Sequence, residues 1–377
     1  MTRRHGSELD RASLMRRVGR LEQAAGVRLV TLGDGVGRGV RVLEFNSGSG
    51  FRFDVIVDRC FDVGSCSFNG QSLTWLSSTD VVGPWFAEPL GIGWFRTWGG
   101  GMVVTCGLDH TLLGGPDSAV NFHQDVQPEI DYGLHGRIGM IPARLVGYGE
   151  EWDGGECVLW AEGIVRQSAV FAETLELRRR IEVTVGASAL RIADRVVNAG
   201  FDTTSHMYLY HVNVGYPILD EGSRLVIPAP PGVPTGDYPP EDYRVMTAPQ
   251  PHCKEQCYEH DVSPESDGTA PVALVNDALG LGVYQLYDRR AMPFHTLWRM
   301  MGEGTYAVAL EPTTNRDAGR FDAIERGELQ WLKPGEEKSY RLEVGVLNGP
   351  TEISAFADRV SAIGTPSIRA RPFSETV

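Results

Sequence analysis

The sequence predicts an all-β protein, a large antiparallel β-sandwich with a short N-terminal helix, and three observations carry that expectation. Short runs of alternating or β-branched residues recur from residue 28 to residue 347, bounded by Gly, Asn, Asp or Ser turns. One segment alone, Ser7 to Ala25, has a helical period, with Leu9, Leu14, Val18 and Leu21 on one face and Gly26 as a stop. Strands and helices do not alternate regularly, so a doubly wound α/β sheet is disfavoured against packed antiparallel sheets.

The strand-like runs are Arg28 to Leu32, Gly39 to Phe45, Phe51 to Val57, Cys157 to Arg166, Glu173 to Val185 and Leu190 to Asn198. Thr174 to Asn198 reads as a hairpin: Leu175, Leu177, Ile181, Val183 and Val185 run up to Gly186-Ala187-Ser188, and Leu190, Ile192, Val196 and Val197 return. Strand-like sequence resumes at Val272 to Tyr287 and again at Tyr340 to Leu347. Gly83 to Gly101, dense in Gly, Trp and Pro, is too irregular for a strand and reads as an ordered loop over the sheet. Pro228 to Pro251 cannot be a central strand, because proline lacks the ladder N–H. The organisation expected is a helical extension over 1–26, one sandwich domain over 27–350 and a tail over 351–377.

Composition narrows the function classes. With 377 residues, 42% hydrophobic and 22% charged, the chain can bury a large core without disulfides. Its net charge of −14 repels polyanions, which argues against nucleic acid and anionic membrane as partners. No run of about 18 apolar residues is present to span a bilayer. The first twenty residues are arginine-rich without an apolar stretch, and six cysteines are scattered; free thiols in a reducing, cytoplasmic setting are expected. Cys253 and Cys257 stand at C-x3-C spacing, not the C-x2-C of a zinc knuckle.

Three segments set an ionisable side chain beside glycine, proline or asparagine inside apolar strand sequence: Tyr132 to Gly139 around His135, Met207 to Pro217 around His211, and Tyr306 to Asn315 around Glu311. A carboxylate ending an apolar run is costly unless it faces a cavity or a partner. Burial raises its pKa, which suits it to accept and return a proton, while each histidine titrates near neutrality and can donate one. Opening a sugar ring needs that combination: a base for the anomeric hydroxyl and an acid for the ring oxygen, with no metal or nucleotide.

The sequence resembles the galactose mutarotase-like (aldose 1-epimerase) superfamily, in particular its branch of the DUF4432 type, a domain of unknown function. The likeness spans about Gly26 to Leu347 and rests on Asp58-Arg59 with Asp62-Val63-Gly64, on Trp98 to Leu108, on Leu134-His-Gly-Arg137, on Tyr210 to Pro217, and on Leu310-Glu-Pro312 followed by Leu332 to Glu336. The resemblance implies a supersandwich fold and anomer interconversion of a free aldose or sugar derivative without a cofactor. It implies His211 as general acid, Glu311 as general base and His135 as a second sugar-binding or acid residue. Two departures stand out. The Gly101 to Gly107 segment lacks the arginine of well-studied relatives, and His211 is followed by Val-Asn-Val rather than Tyr-Phe-Asn.

Further substrate contacts are expected from Arg137, which could supply the missing cation, from Asn213, from His260-Asp261, and from Trp298 among the tryptophans. Arg137 could instead pair with Asp58, and Asn213 could merely close a turn. One or two of Trp75, Trp85, Trp94, Trp98 and Trp298 should form the stacking platform, and His110 and His123 fall in a loop. Two other readings stay open: an isomerase or epimerase of a keto or acid sugar using a divalent metal on His135, His211 and Glu311, and a carbohydrate-binding module without turnover.

Overall fold

The computed structural model describes residues 2–4, 7–9, 11–119, 128–238 and 242–364. Three sheets build the sandwich. The largest runs in the order Arg144–Asp153, Glu156–Ser168, Thr174–Thr184, Ala189–Asn198, Glu337–Asn348, Leu281–Asp288, Thr269–Asn276 and Arg224–Val226, antiparallel throughout. A second runs Val233–Pro234, Gln256–His260, Phe294–Met300, Ala307–Thr313 and Thr204–Val214, and the last of these also pairs with Val104–Leu108 and Gln330–Leu332. A third, Gly26–Thr31, Arg41–Asn46, Phe51–Ile56, Asp62–Phe68 and Gln71–Ser72, is tied to the second by bridges from Val63 to Val103 and from Thr74 to Val214.

The hairpin read from residues 174 to 198 is present, with Val183 opposite Leu190. Its odd-numbered Leu175, Leu177, Ile181 and Val183 enter the core, as period-two patterning requires. The Val272 to Tyr287 run divides at a turn into two strands.

The N-terminal helix is shorter than its period suggested: it covers Arg11–Met15, and a 3-10 turn follows at Leu21–Gln23. Gly19 falls between them, where helix propensity is poor. Leu14, Val18 and Leu21 nonetheless join the main core, so the stretch packs on the sandwich through the residues that gave the period. Pro350–Ile363 is a helix whose Ile353, Phe356 and Val360 pack on Val226, Ala273, Val275 and Leu347 of the large sheet.

Thr204–Val214 is buried along its whole length, so both faces of this strand are covered. Even-numbered Tyr208, Tyr210, Val212 and Val214 enter the core shared with the large sheet. Odd-numbered Met207, Leu209, His211 and Asn213 lie on the opposite face, where the site is built.

Behind that face sits a charged knot. Arg179 holds Asp194 through Nε and Nη2 (2.9 and 2.7 Å), Asp62 through Nη1 (2.8 Å) and the Tyr208 hydroxyl (3.0 Å). The Tyr208 and Tyr210 hydroxyls donate to Asp194, and Asp62 accepts from Thr105. Asp62 thereby ties the Val104–Leu108 strand, which pairs with the His211 strand, to Arg179 of the large sheet. No helix of the described residues is long and apolar enough to cross a membrane.

Candidate active site

Register brings the candidate residues together. The pairing of Leu209 with Thr313 and Val212 with Leu310 sets His211 directly across from Glu311. Thr296 lies across Glu311 on its other side, Glu259 across Thr296, and Val104 across His211. One row of side chains thus crosses five strands as Glu259, Thr296, Glu311, His211, Val104. The next row reads Cys257, Trp298, Ala309, Asn213, and its small Ala309 leaves room between Trp298 and Asn213.

His211 Nε2 and Glu311 Oε1 are 3.2 Å apart, with both side chains almost wholly covered (4% and 3% exposed). Burial pushes Glu311 well above the usual carboxylate range, and the neighbouring carboxylates Asp317 and Glu255 add to it. Burial also pushes His211 down to about 4, opposed by its hydrogen bond with Asn213. Both directions favour the uncharged forms of the pair.

His135 closes the site from the segment between Glu129–Tyr132 and the 3-10 turn Ile138–Met140. It sits in the left-handed region at φ 58°, which histidine tolerates better than most side chains. Its N–H donates to Leu112 O (2.8 Å), its carbonyl accepts from Gly107 N (3.1 Å), and its ring Nδ1 accepts from Leu112 N (3.4 Å). That leaves Nε2 to carry the ring proton. Gly136 follows because a Cβ there would stand 2.4 Å from Gly107 O and 2.5 Å from His110 O. The His135 and His211 rings meet edge to face at 5.7 Å, and burial together with the second imidazole holds His135 well below the usual histidine range.

Tryptophans wall the site. Trp94 stacks on Trp98 at 4.3 Å and lies 4.6 Å from His135; Trp98 and Trp298 lie 5.0 and 5.6 Å from His211. Trp94 and Trp98 sit four residues apart around the 3-10 turn Gly93–Arg96, in the loop expected at Gly83 to Gly101. Arg59 anchors that loop: it donates to Val82 O and Thr97 O at 2.8 Å each, and to Gly139 O, also at 2.8 Å, in the His135 segment. The Trp98 indole N–H is buried without a hydrogen-bond partner among the described residues.

Other expected contacts are placed elsewhere. His260 is buried on the core face of its strand, against the Tyr243 hydroxyl (3.0 Å) and His295, because even positions of Gln256–His260 point inward with Tyr258. Asp261 is 72% exposed and held by Arg289. Neither joins the histidine and glutamate site. Arg137 is engaged by Glu173 at 2.5 Å, and the other partner weighed for it, Asp58, belongs to Arg41. Trp85 is more than half exposed beside Phe86, away from the other tryptophans. His110 is buried against Tyr132, and His123 lies outside the described residues.

Asn213 spends its amide on the backbone, donating to Gly101 O (2.8 Å) and His211 O (3.1 Å), while its oxygen meets His211 Nδ1 (2.5 Å). Sequence reasoning missed Glu255, whose carboxylate accepts from the Trp298 indole (2.9 Å), and Asp317, since neither stands in a motif. All six cysteines are free thiols. Among the described residues no group of three or more His, Cys, Asp or Glu side chains is spaced to hold a metal ion.

The fold defines the class as a galactose mutarotase-like β-sandwich. Residues 37–346 match the family described as "Domain of unknown function (DUF4432)", and the chain belongs to that family. A candidate aldose 1-epimerase from Klebsiella pneumoniae shares the fold at TM-score 0.78 and 22% identity, over 92% of this chain and 91% of that one. A galactose mutarotase-like protein from Clostridium acetobutylicum follows it at TM-score 0.58 and 12% identity, over 86% and 99%. No curated protein matches the sequence.

Proposed function

We propose that the protein interconverts the anomers of an aldose or aldose derivative by acid–base ring opening at the Glu311 and His211 pair. The observation that supports this most is the direct contact of a buried carboxyl and a buried imidazole inside a tryptophan-walled site. Ring opening moves two protons, one off the anomeric oxygen and one onto the ring oxygen, and both oxygens are bonded to C1. A carboxylate and an imidazolium side by side can therefore serve both at once.

With the proton on His211, Glu311 takes the anomeric proton and His211 Nε2 gives its own to the ring oxygen, while the C1 to ring-oxygen bond breaks and C1 becomes a carbonyl. The pair is then neutral, the state burial favours. Rotation about C1–C2 turns the other carbonyl face to the ring hydroxyl. Glu311 then returns a proton to the carbonyl oxygen as His211 takes one back, and the pair regains its starting form. Neither half needs solvent. The His135 Nε2–H and the unpaired Trp98 indole N–H are donors for sugar hydroxyls, and Trp94, Trp98 and Trp298 offer faces for the apolar side of a pyranose.

With Glu311 2%, His211 3% and His135 9% exposed, the site is closed, and a sugar enters only if the segments that cover it move apart. Closure afterwards excludes water and strengthens every charge interaction inside. Exchange NMR on a panel of free sugars tests the proposal. Anomer exchange should accelerate with at least one sugar, survive chelation, and vanish in His211→Ala; no acceleration with any sugar would refute it.

A further inference from the structure

Asn213 has no group left for a ligand. Its two amide N–H bonds end on Gly101 O and His211 O, and a flipped amide would set its oxygen against both carbonyls. The orientation is thus fixed by the backbone, and the Asn213 oxygen must face the His211 ring. It stands 2.5 Å from Nδ1, and an oxygen there can only accept. His211 Nδ1 therefore carries a proton.

We infer that Asn213 is a positioning residue, which locks His211 in the Nδ1–H tautomer and so presents a bare Nε2 to Glu311. It rests on the reading of the site as an acid–base pair. A neutral His211 of this tautomer has no proton at Nε2 to give a ring oxygen. The proton it donates must first cross the 3.2 Å contact from Glu311. Acid and base are then two ends of one proton. In ring opening the Nε2 proton goes to the ring oxygen and the anomeric proton to Glu311; in closure both moves reverse. Nδ1–H stays on Asn213 throughout. Free choice of tautomer would break this unit, because an Nε2–H imidazole facing a protonated Glu311 has no base in the pair.

The surroundings leave Asn213 as the group that makes this choice. The His211 ring is otherwise flanked by Trp94, Trp98, Trp298 and His135, and no hydrogen bond from them to either of its nitrogens exists among the described residues. The motif departure noted in the sequence, Val-Asn-Val after the histidine, is what puts asparagine two residues on and hence on the same strand face.

The test is ring-nitrogen NMR of histidine-labelled full-length protein, with the His211 signals assigned by their loss in His211→Gln. Wild type should show a protonated Nδ1 and a bare Nε2. Asn213→Ala should redistribute the proton between the nitrogens and lower kcat by about 10- to 100-fold, with KM within about twofold. A wild-type proton on Nε2 overturns the inference, and should Asn213→Ala fail to fold, that spectrum alone decides. An unaltered tautomer in Asn213→Ala, or an altered one with unchanged kcat, overturns it as well. If the tautomer is as inferred but wild type accelerates no sugar, the proposed function falls while the assignment to Asn213 stands.

Discussion

Replacing Glu311 by glutamine should stabilise the protein at neutral pH while removing its activity. Burial raises the Glu311 carboxyl far above its ordinary range. An acid raised in this way is neutral in the folded chain at pH values where the unfolded chain ionises. It therefore destabilises the fold from the ordinary carboxylate pKa upward, and the cost disappears as pH falls below that value. A carboxyl that keeps its proton at pH 7 forgoes about 3–4 kcal/mol, the distance from the ordinary glutamate pKa to pH 7 at about 1.4 kcal/mol per unit. Glutamine has the same shape and no charge, and its amide N–H replaces the carboxyl O–H as donor to His211 Nε2. Glu311→Gln should thus gain up to about 3 kcal/mol at pH 7 and nothing at pH 4, with kcat/KM down about 10²- to 10⁴-fold. For a chain of 377 residues that gain is about 4 °C in Tm. Thermal unfolding of both proteins between pH 4 and 8 measures it. A stability difference that does not change with pH refutes the neutral pair. So does a loss at pH 7, because an ionic pair deprived of one buried partner would cost about 3–5 kcal/mol.

Two further outcomes follow from charges and clamps around the site. The charged groups acting on Glu311 are the carboxylates Asp317 and Glu255, and Arg316 is engaged by Glu259 and Glu328. Sugars bearing phosphate or carboxylate should therefore be poorer substrates than neutral ones. Glu255→Gln should narrow that kcat/KM ratio roughly fivefold, about 1 kcal/mol for one exposed charge; a ratio unmoved by the change sinks the charge argument. Arg59→Leu strands three carbonyls, at Gly139, Val82 and Thr97, and should destabilise by about 3 kcal/mol in denaturant unfolding. It should also raise hydrogen exchange across residues 82–98; unchanged exchange there would show that the guanidinium does not hold the tryptophan loop.

The sequence by itself determined the class of fold and pointed to three polar side chains, His135, His211 and Glu311. Period-two runs such as Leu175 to Val185 write one buried face directly into the chain, and burying that face is what makes a strand. His211 and Glu311 stood out because an ionisable group is costly in apolar strand sequence, and the family resemblance added His135 from its His-Gly segment. Tertiary structure alone decided how those residues meet. Register across separate strands set His211 opposite Glu311, and strand phase turned His260 into the core while Glu259 beside it kept to the site face. Local pattern fixes which residues share a face of one strand. It carries nothing about which strand lies alongside, and for that reason Asn213's hold on His211 through the Gly101 carbonyl, the Arg59 clamp and the Glu255 cap on Trp298 could be read only once the sheets had assembled.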